Sequence, residues 1–168
     1  MNFLDLVILL TLAWFTIAGA TARLPRELVT LAAMLLGVVL AGLFHERLAD
    51  DLLVLIDSFR VARVLGFCAI FFAVWGAGQI AVVLYKDLAL TITFGPLDLS
   101  GGLVAGLLKG IILVETLLFL FARYQFDATT SAIDGSLLAP VFLRGIPFVL
   151  WLLPSAFRSA VDAFPGTA

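Results

Sequence analysis

The sequence has very few of the side chains on which most protein chemistry depends. It holds one cysteine, Cys68, and one histidine, His45. A single cysteine excludes a disulfide within the chain and any cysteine-rich metal site, and a single histidine removes the histidine pairs of most zinc sites. The sequence also shows no nucleophile with a neighbouring base and no metal-binding histidine motif. We therefore predict a protein that is not an enzyme and that needs no cofactor.

Charged residues are scarce as well. They make up 13% of the chain, against about 25% in soluble domains. The formal net charge is -2, and no stripe of basic residues of the kind that nucleic acid requires is present. Hydrophobic residues instead make up 63% of the 168 residues. This composition excludes nucleic-acid binding and predicts a single domain, residues 1–168, with membrane lipid as its surroundings.

Long apolar runs give the chain its organisation. Crossing about 30 Å of hydrocarbon takes roughly 20 helical residues, and helices satisfy their backbone hydrogen bonds internally, as lipid requires. The fold class is therefore predicted to be an all-α membrane helical bundle. The four predicted transmembrane helices are residues 4–22, 28–44, 64–85 and 99–122. The short connection 23–27 predicts that the first two form a tight helical hairpin.

Two further segments differ from these spans. In residues 46–63 apolar side chains recur at steps of three and four, which predicts an amphipathic helix on the membrane surface. The apolar C-terminal run, 137–157, carries Pro140, Pro147 and Pro154 at seven-residue spacing. Interior prolines delete backbone hydrogen bonds and kink a helix. We expect this run to be an interfacial or re-entrant segment packed on the bundle, and a fifth span is the alternative.

Small residues mark one face on each of two predicted spans. Small side chains let helices approach closely, and the resulting packing drives helix association in lipid. We interpret both faces as packing faces, through which other membrane proteins or a second copy of the chain also bind. A phosphate-binding loop is the alternative for the glycines, but such loops follow a strand, and none is predicted. The two faces consist of Gly102, Gly106 and Gly110 on the fourth span and Ala33, Gly37 and Ala41 on the second.

Polar side chains inside the predicted spans are candidates for function, because they are costly in lipid. Glu115 either takes part in conduction or proton coupling or is a buried, hydrogen-bonded group. Lys109 lies six residues away, which excludes an ion pair with Glu115 within the helix, and it is expected near the level of Gln79. We predict that its side chain extends towards the lipid headgroups. His45 and Tyr124, near span ends, are expected at the membrane interface.

From Asp98 to Gly110 the sequence resembles the colicin V production protein family. The final spans of that family open with an aspartate that is followed by glycines at the fourth, eighth and twelfth positions. A basic residue precedes the last of them. Gly102, Gly106, Lys109 and Gly110 fill these positions here.

Two further likenesses lie in the first half of the chain. Asp5 stands early in the first span, and Arg26 and Glu27 open the second, where the family has Arg-Glu followed by aliphatic residues. The family commonly has Arg-Gly two residues earlier, whereas this chain has Ala22 and Arg23 there. The resemblance covers nearly the whole chain.

The resemblance implies a multi-pass protein of the bacterial inner membrane that is associated with production or export of a peptide toxin. Related four-span modules serve as membrane anchors for periplasmic proteases. Our leading hypothesis is a non-enzymatic scaffold or accessory component in toxin production and envelope upkeep. The alternative is a small oligomeric transporter or channel with Glu115 and Lys109 in its pathway.

Overall fold

Helices account for nearly all of the structure. The computed structural model describes residues 2–22, 24–84, 95–124, 132–133 and 135–145. Its helices are α1 (Phe3–Thr21), α2 (Leu24–Leu52), α3 (Phe59–Leu84), α4 (Pro96–Tyr124) and the short α5 (Ala139–Gly145). Four of these described helices are long and apolar enough to cross a membrane. No strand occurs in the described residues, so the prediction of an all-α bundle with four spanning helices is confirmed.

The connection between the first two helices is as short as predicted, but the two helices do not pack along each other as a hairpin, because α1 packs along α4 and α2 along α3. α1 ends at Thr21 and α2 begins at Leu24. Pro25 lies in the first turn of α2, where the backbone N–H that proline lacks would have no partner within the helix. Because α2 begins four residues earlier than its predicted span, Glu27 lies inside the helix and is buried.

The surface helix predicted for residues 46–63 is wrong. α2 continues through this region to Leu52, a short link follows, and α3 begins at Phe59. The end of α2 instead packs against the start of α3. A Cβ atom added to Gly66 would lie 3.3 Å from the backbone nitrogen of Ala49. The region therefore contains two packed helix ends.

The long helices pack as two pairs, α2 along α3 and α1 along α4, and contacts between α2 and α4 join the pairs. α4 is the most buried of the four spanning helices. Large apolar side chains on the outer faces stay exposed, as expected for helices that contact lipid.

The C-terminal apolar run is only partly described. α5 packs against α4 and has 7 residues. Residues 146–157, with Pro147 and Pro154, lie outside the described residues, as does most of the predicted loop 86–96.

Candidate functional site

Lys109 forms a buried ion pair with Glu27. The lysine comes from α4 and the glutamate from α2, and their exposed fractions are 5% and 4%. The ammonium Nζ contacts carboxylate atom Oε2 of Glu27. It also donates a hydrogen bond of 3.1 Å to Oγ1 of Thr30, which lies one turn after Glu27 on the same face of α2. Two residues of α2 thus hold the charge of one residue of α4.

The prediction that the Lys109 side chain extends to the headgroups is therefore wrong. An ammonium group away from water is costly unless it is paired and hydrogen-bonded. Glu27 supplies the pairing charge because α2 begins at Leu24. From the sequence, Glu27 stood in the connection between two spans.

The ion pair lies in the wall of a half-open pocket. The pocket has a volume of about 320 Å³ and is bounded by all four long helices. Gln79, which sequence counting placed near the level of Lys109, lines the same pocket. Its main lining side chains are Trp14, Arg26, Glu27, Trp75, Gln79 and Lys109.

Glu115 and Asp98 lie elsewhere on α4. Glu115 is fully buried and does not line the pocket around Lys109. Asp98 is half-buried in the first turn of α4, where the helix dipole favours a negative charge. Among the predicted polar residues, the pocket therefore combines Lys109 with Gln79, and Glu115 is separate from it.

The glycine face of α4 lies against α1. A Cβ atom added to Gly106 would clash with the carbonyl oxygen of Phe15 and would lie 2.9 Å from Cα of Gly19. Gly102 also contacts the backbone at Gly19, and a Cβ on Gly110 would lie 3.2 Å from the Leu12 side chain. At these positions the backbones of α4 and α1 approach each other within one chain.

The small residues of α2 lie against α3 in a similar way. Ala33 faces Gly78, and a Cβ added to Gly37 would lie 3.2 Å from the carbonyl oxygen of Phe71. Ala41 is fully buried. The second small-residue face is thus also occupied inside the chain.

A third buried carboxylate, that of Asp5, was not singled out as a site from the sequence. Its Oδ1 accepts hydrogen bonds from the Ser136 hydroxyl at 2.5 Å and from the Leu137 and Leu138 amides at 3.0 Å each. Its Oδ2 accepts from the amide of Asn2 at 2.8 Å, which completes a capping box at the start of α1. Asp5 therefore fastens the segment before α5 to the start of α1.

Asp5→Ala is expected to release that segment. The amides of Leu137 and Leu138 would lose their acceptor, and burying an unsatisfied donor costs about 1–3 kcal/mol. Hydrogen exchange followed by mass spectrometry should show faster exchange at residues 136–138, by about tenfold for each 1.4 kcal/mol lost. Asp51→Ala, at the exposed end of α2, is the control. Equal exchange in the two variants would show that Asp5 does not hold this segment.

His45 and Tyr124 form a hydrogen bond inside the bundle. Tyr124 lies at the end of α4, as predicted, whereas the placement of His45 at a helix end is wrong. Nδ1 of His45 lies 3.0 Å from the carbonyl oxygen of Ala41 and 3.1 Å from that of Gly42, so it must donate. Nε2 then accepts from the Tyr124 hydroxyl at 3.2 Å. The predicted span ended one residue before His45, whereas α2 continues to Leu52 and buries the imidazole.

The comparison with known protein families agrees with the resemblance seen in the sequence. The family model described as colicin V production protein matches residues 4–147. The match includes all five described helices except the first residue of α1, and it includes both residues of the buried ion pair. Neither a curated protein nor a solved structure matches the chain. With four helices able to span a membrane, this is a multi-pass membrane protein, and it belongs to the colicin V production protein family.

Proposed function

We propose that this chain is a non-enzymatic scaffold or accessory component for production or export of colicin V-type peptide toxins, with a further part in envelope upkeep. Membership of the family supports the link to toxin production. The four spanning helices support a place in a membrane, which we take to be the bacterial inner membrane.

The observation that carries the scaffold role is the pairing of Lys109 with Glu27 inside the bundle. The pairing neutralises both charges within one chain, so neither charge is available to line a polar path for ions or protons across the membrane. Lys109 is also the one described residue of α4 that lines the pocket. Beyond it most buried side chains of α4 are apolar, such as Ile112 and Phe119, and the buried polar residues there are Glu115 and Thr116. A closed bundle of this kind suits a protein that supports others.

Partners are proposed to bind the outer faces of the bundle. The small-residue faces of α4 and α2 are already occupied by α1 and α3. Leu10, Trp14 and Ile17 on α1 are exposed and apolar. In a membrane such a face contacts lipid, another membrane protein or a second copy of the chain.

A small oligomeric transporter is the second candidate, and the polar pocket is the observation that favours it. The pocket reaches Lys109 and Gln79 from the end of the bundle at which α1 joins α2. Glu115 lies further along α4 and is buried. A path that includes Glu115 would have to be completed between chains.

A complementation experiment tests the proposed role. A strain that produces a colicin V-type toxin and lacks its own family member should again form an inhibition zone when it expresses this chain. A variant with Gly106→Leu, in which α1 and α4 cannot approach, should not restore the zone. A strain that exports toxin equally well without any family member would contradict the proposal.

Liposomes separate the two candidates. If the chain is a scaffold, the purified protein in liposomes is expected to conduct neither ions nor protons. Flux that disappears on Glu115→Ala, but persists on a change of lipid-facing Leu10 to alanine, would support the transporter and contradict the scaffold.

A further inference from the structure

Trp75, which lines the pocket around Lys109, has an indole N–H group without an acceptor among the described residues. Nε1 of Trp75 is buried and makes no hydrogen bond within the described part of the chain. Buried polar groups are nearly always hydrogen-bonded, so such a donor on a residue of the pocket wall calls for an acceptor beyond the described residues. The amide of Gln79, beside it in the wall, also has no hydrogen bond to the described residues.

The charges of the pocket favour an anion. Lys109 and Glu27 neutralise each other. Arg26 adds a guanidinium at the mouth and forms no ion pair with the described residues. The pocket wall therefore carries a net charge of one positive unit. Guanidinium groups bind phosphate in a planar, bidentate geometry.

The position of the pocket favours a lipid as the source of that anion. Arg26 is in the first turn of α2, and Gln79 lies about 8 Å along α3 from its C-terminal residue at 1.5 Å per residue. The mouth is thus at one end of the membrane-crossing helices. Trp14 also lines the pocket and is 74% exposed on the outer face of α1. The pocket consequently reaches from the end of the bundle to its lipid-facing side.

We propose that this pocket binds the headgroup of an anionic phospholipid that carries hydroxyl groups, such as phosphatidylglycerol. Arg26, the Trp75 indole and the Gln79 amide donate to the phosphate oxygens, and the Glu27 carboxylate accepts from a headgroup hydroxyl. A volume of about 320 Å³ holds a headgroup, because small-ligand pockets measure roughly 300–1,000 Å³. The acyl chains lie outside, along α1 and α3. This binding does not depend on the role in toxin production.

Lipid binding to the full-length chain tests the proposal. Purified protein in detergent is titrated with phosphatidylglycerol or with phosphatidylcholine, and bound lipid is counted by native mass spectrometry. Phosphatidylglycerol should bind at least about tenfold more tightly than phosphatidylcholine. Its headgroup hydroxyl can donate to the Glu27 carboxylate, and a hydrogen bond to a charged group contributes about that factor. Equal affinity for the two lipids would overturn the proposal.

Single substitutions locate the site. Arg26→Gln should weaken phosphatidylglycerol binding by about tenfold, and Trp75→Phe, which keeps an aromatic ring but removes the N–H, by about threefold to tenfold. Arg47→Gln is the matched control, because Arg47 is exposed at the opposite end of α2. Thermal unfolding of each variant checks that the bundle is intact. An equal loss in Arg47→Gln and Arg26→Gln would show unspecific charge attraction and overturn the site.

Soluble glycerol 1-phosphate distinguishes the source of the phosphate group. The lipid proposal expects it to compete only weakly with phosphatidylglycerol, because it has no acyl chains to lie along α1 and α3. Competition at a comparable concentration would assign the pocket to a soluble phosphate ester and overturn the lipid as its occupant.

Discussion

Glu27→Leu is expected to destabilise the chain by about 3–5 kcal/mol, the usual cost of removing one partner from a buried ion pair. The Lys109 ammonium would keep its hydrogen bond to Thr30, but a hydroxyl does not neutralise a charge. Because Lys109 is only 5% exposed, water in the adjoining pocket reaches little of its side chain and compensates for little of the lost carboxylate. The change should be visible as a lower free energy of unfolding of the detergent-solubilised protein when SDS is titrated.

The double variant Glu27→Leu with Lys109→Met separates the charge effect from the packing effect. Replacing both members of a buried pair by apolar side chains is often neutral. The double variant should therefore lose much less free energy of unfolding than Glu27→Leu alone. Glu46→Leu is the surface control, since Glu46 pairs with Arg63 at 3.6 Å and its side chain is 58% exposed. Exposed pairs contribute about 0–1 kcal/mol. A Glu27→Leu loss no larger than that of Glu46→Leu would contradict the importance of the buried pair.

The four spans were predictable because an apolar run of about 20 residues is long enough to cross the bilayer, and as a helix it satisfies its backbone hydrogen bonds there. The ends of α2 were not. The apolar run of the second span stops at Glu27 on one side and at His45 on the other. The helix α2 nevertheless extends beyond both residues. Both side chains are buried. The partners of Lys109 and Tyr124 therefore lay just outside the segment that hydropathy could delimit.

The contacts of Asp5 could not be predicted for another reason. Its acceptor atoms meet Ser136 and the two residues after it, and no local pattern links positions so far apart in the chain. A carboxylate near the start of a span has a sufficient local explanation in helix capping. The sequence therefore offered no sign of a second role.

Gly106→Ala is the second substitution with a large expected effect. The added methyl group would clash with the Phe15 carbonyl oxygen and lie 2.9 Å from Cα of Gly19. Both are backbone atoms of α1, which do not move without separating α1 from α4. Overpacking of this kind costs about 1–3 kcal/mol. The same SDS titration should show the loss.

Two other glycines provide a graded control. A Cβ at Gly101 would meet only the end of the flexible Leu24 side chain, and a Cβ at Gly76 would have no atom within 4 Å. Gly76→Ala should therefore stabilise α3 by up to about 1 kcal/mol through helix propensity. The change in free energy of unfolding for Gly101→Ala should lie between those for Gly76→Ala and Gly106→Ala. If all three substitutions had equal effects, the close approach of α1 and α4 would not explain the glycine at 106. The predicted order would instead link the glycine at 106 to the close approach of α1 and α4.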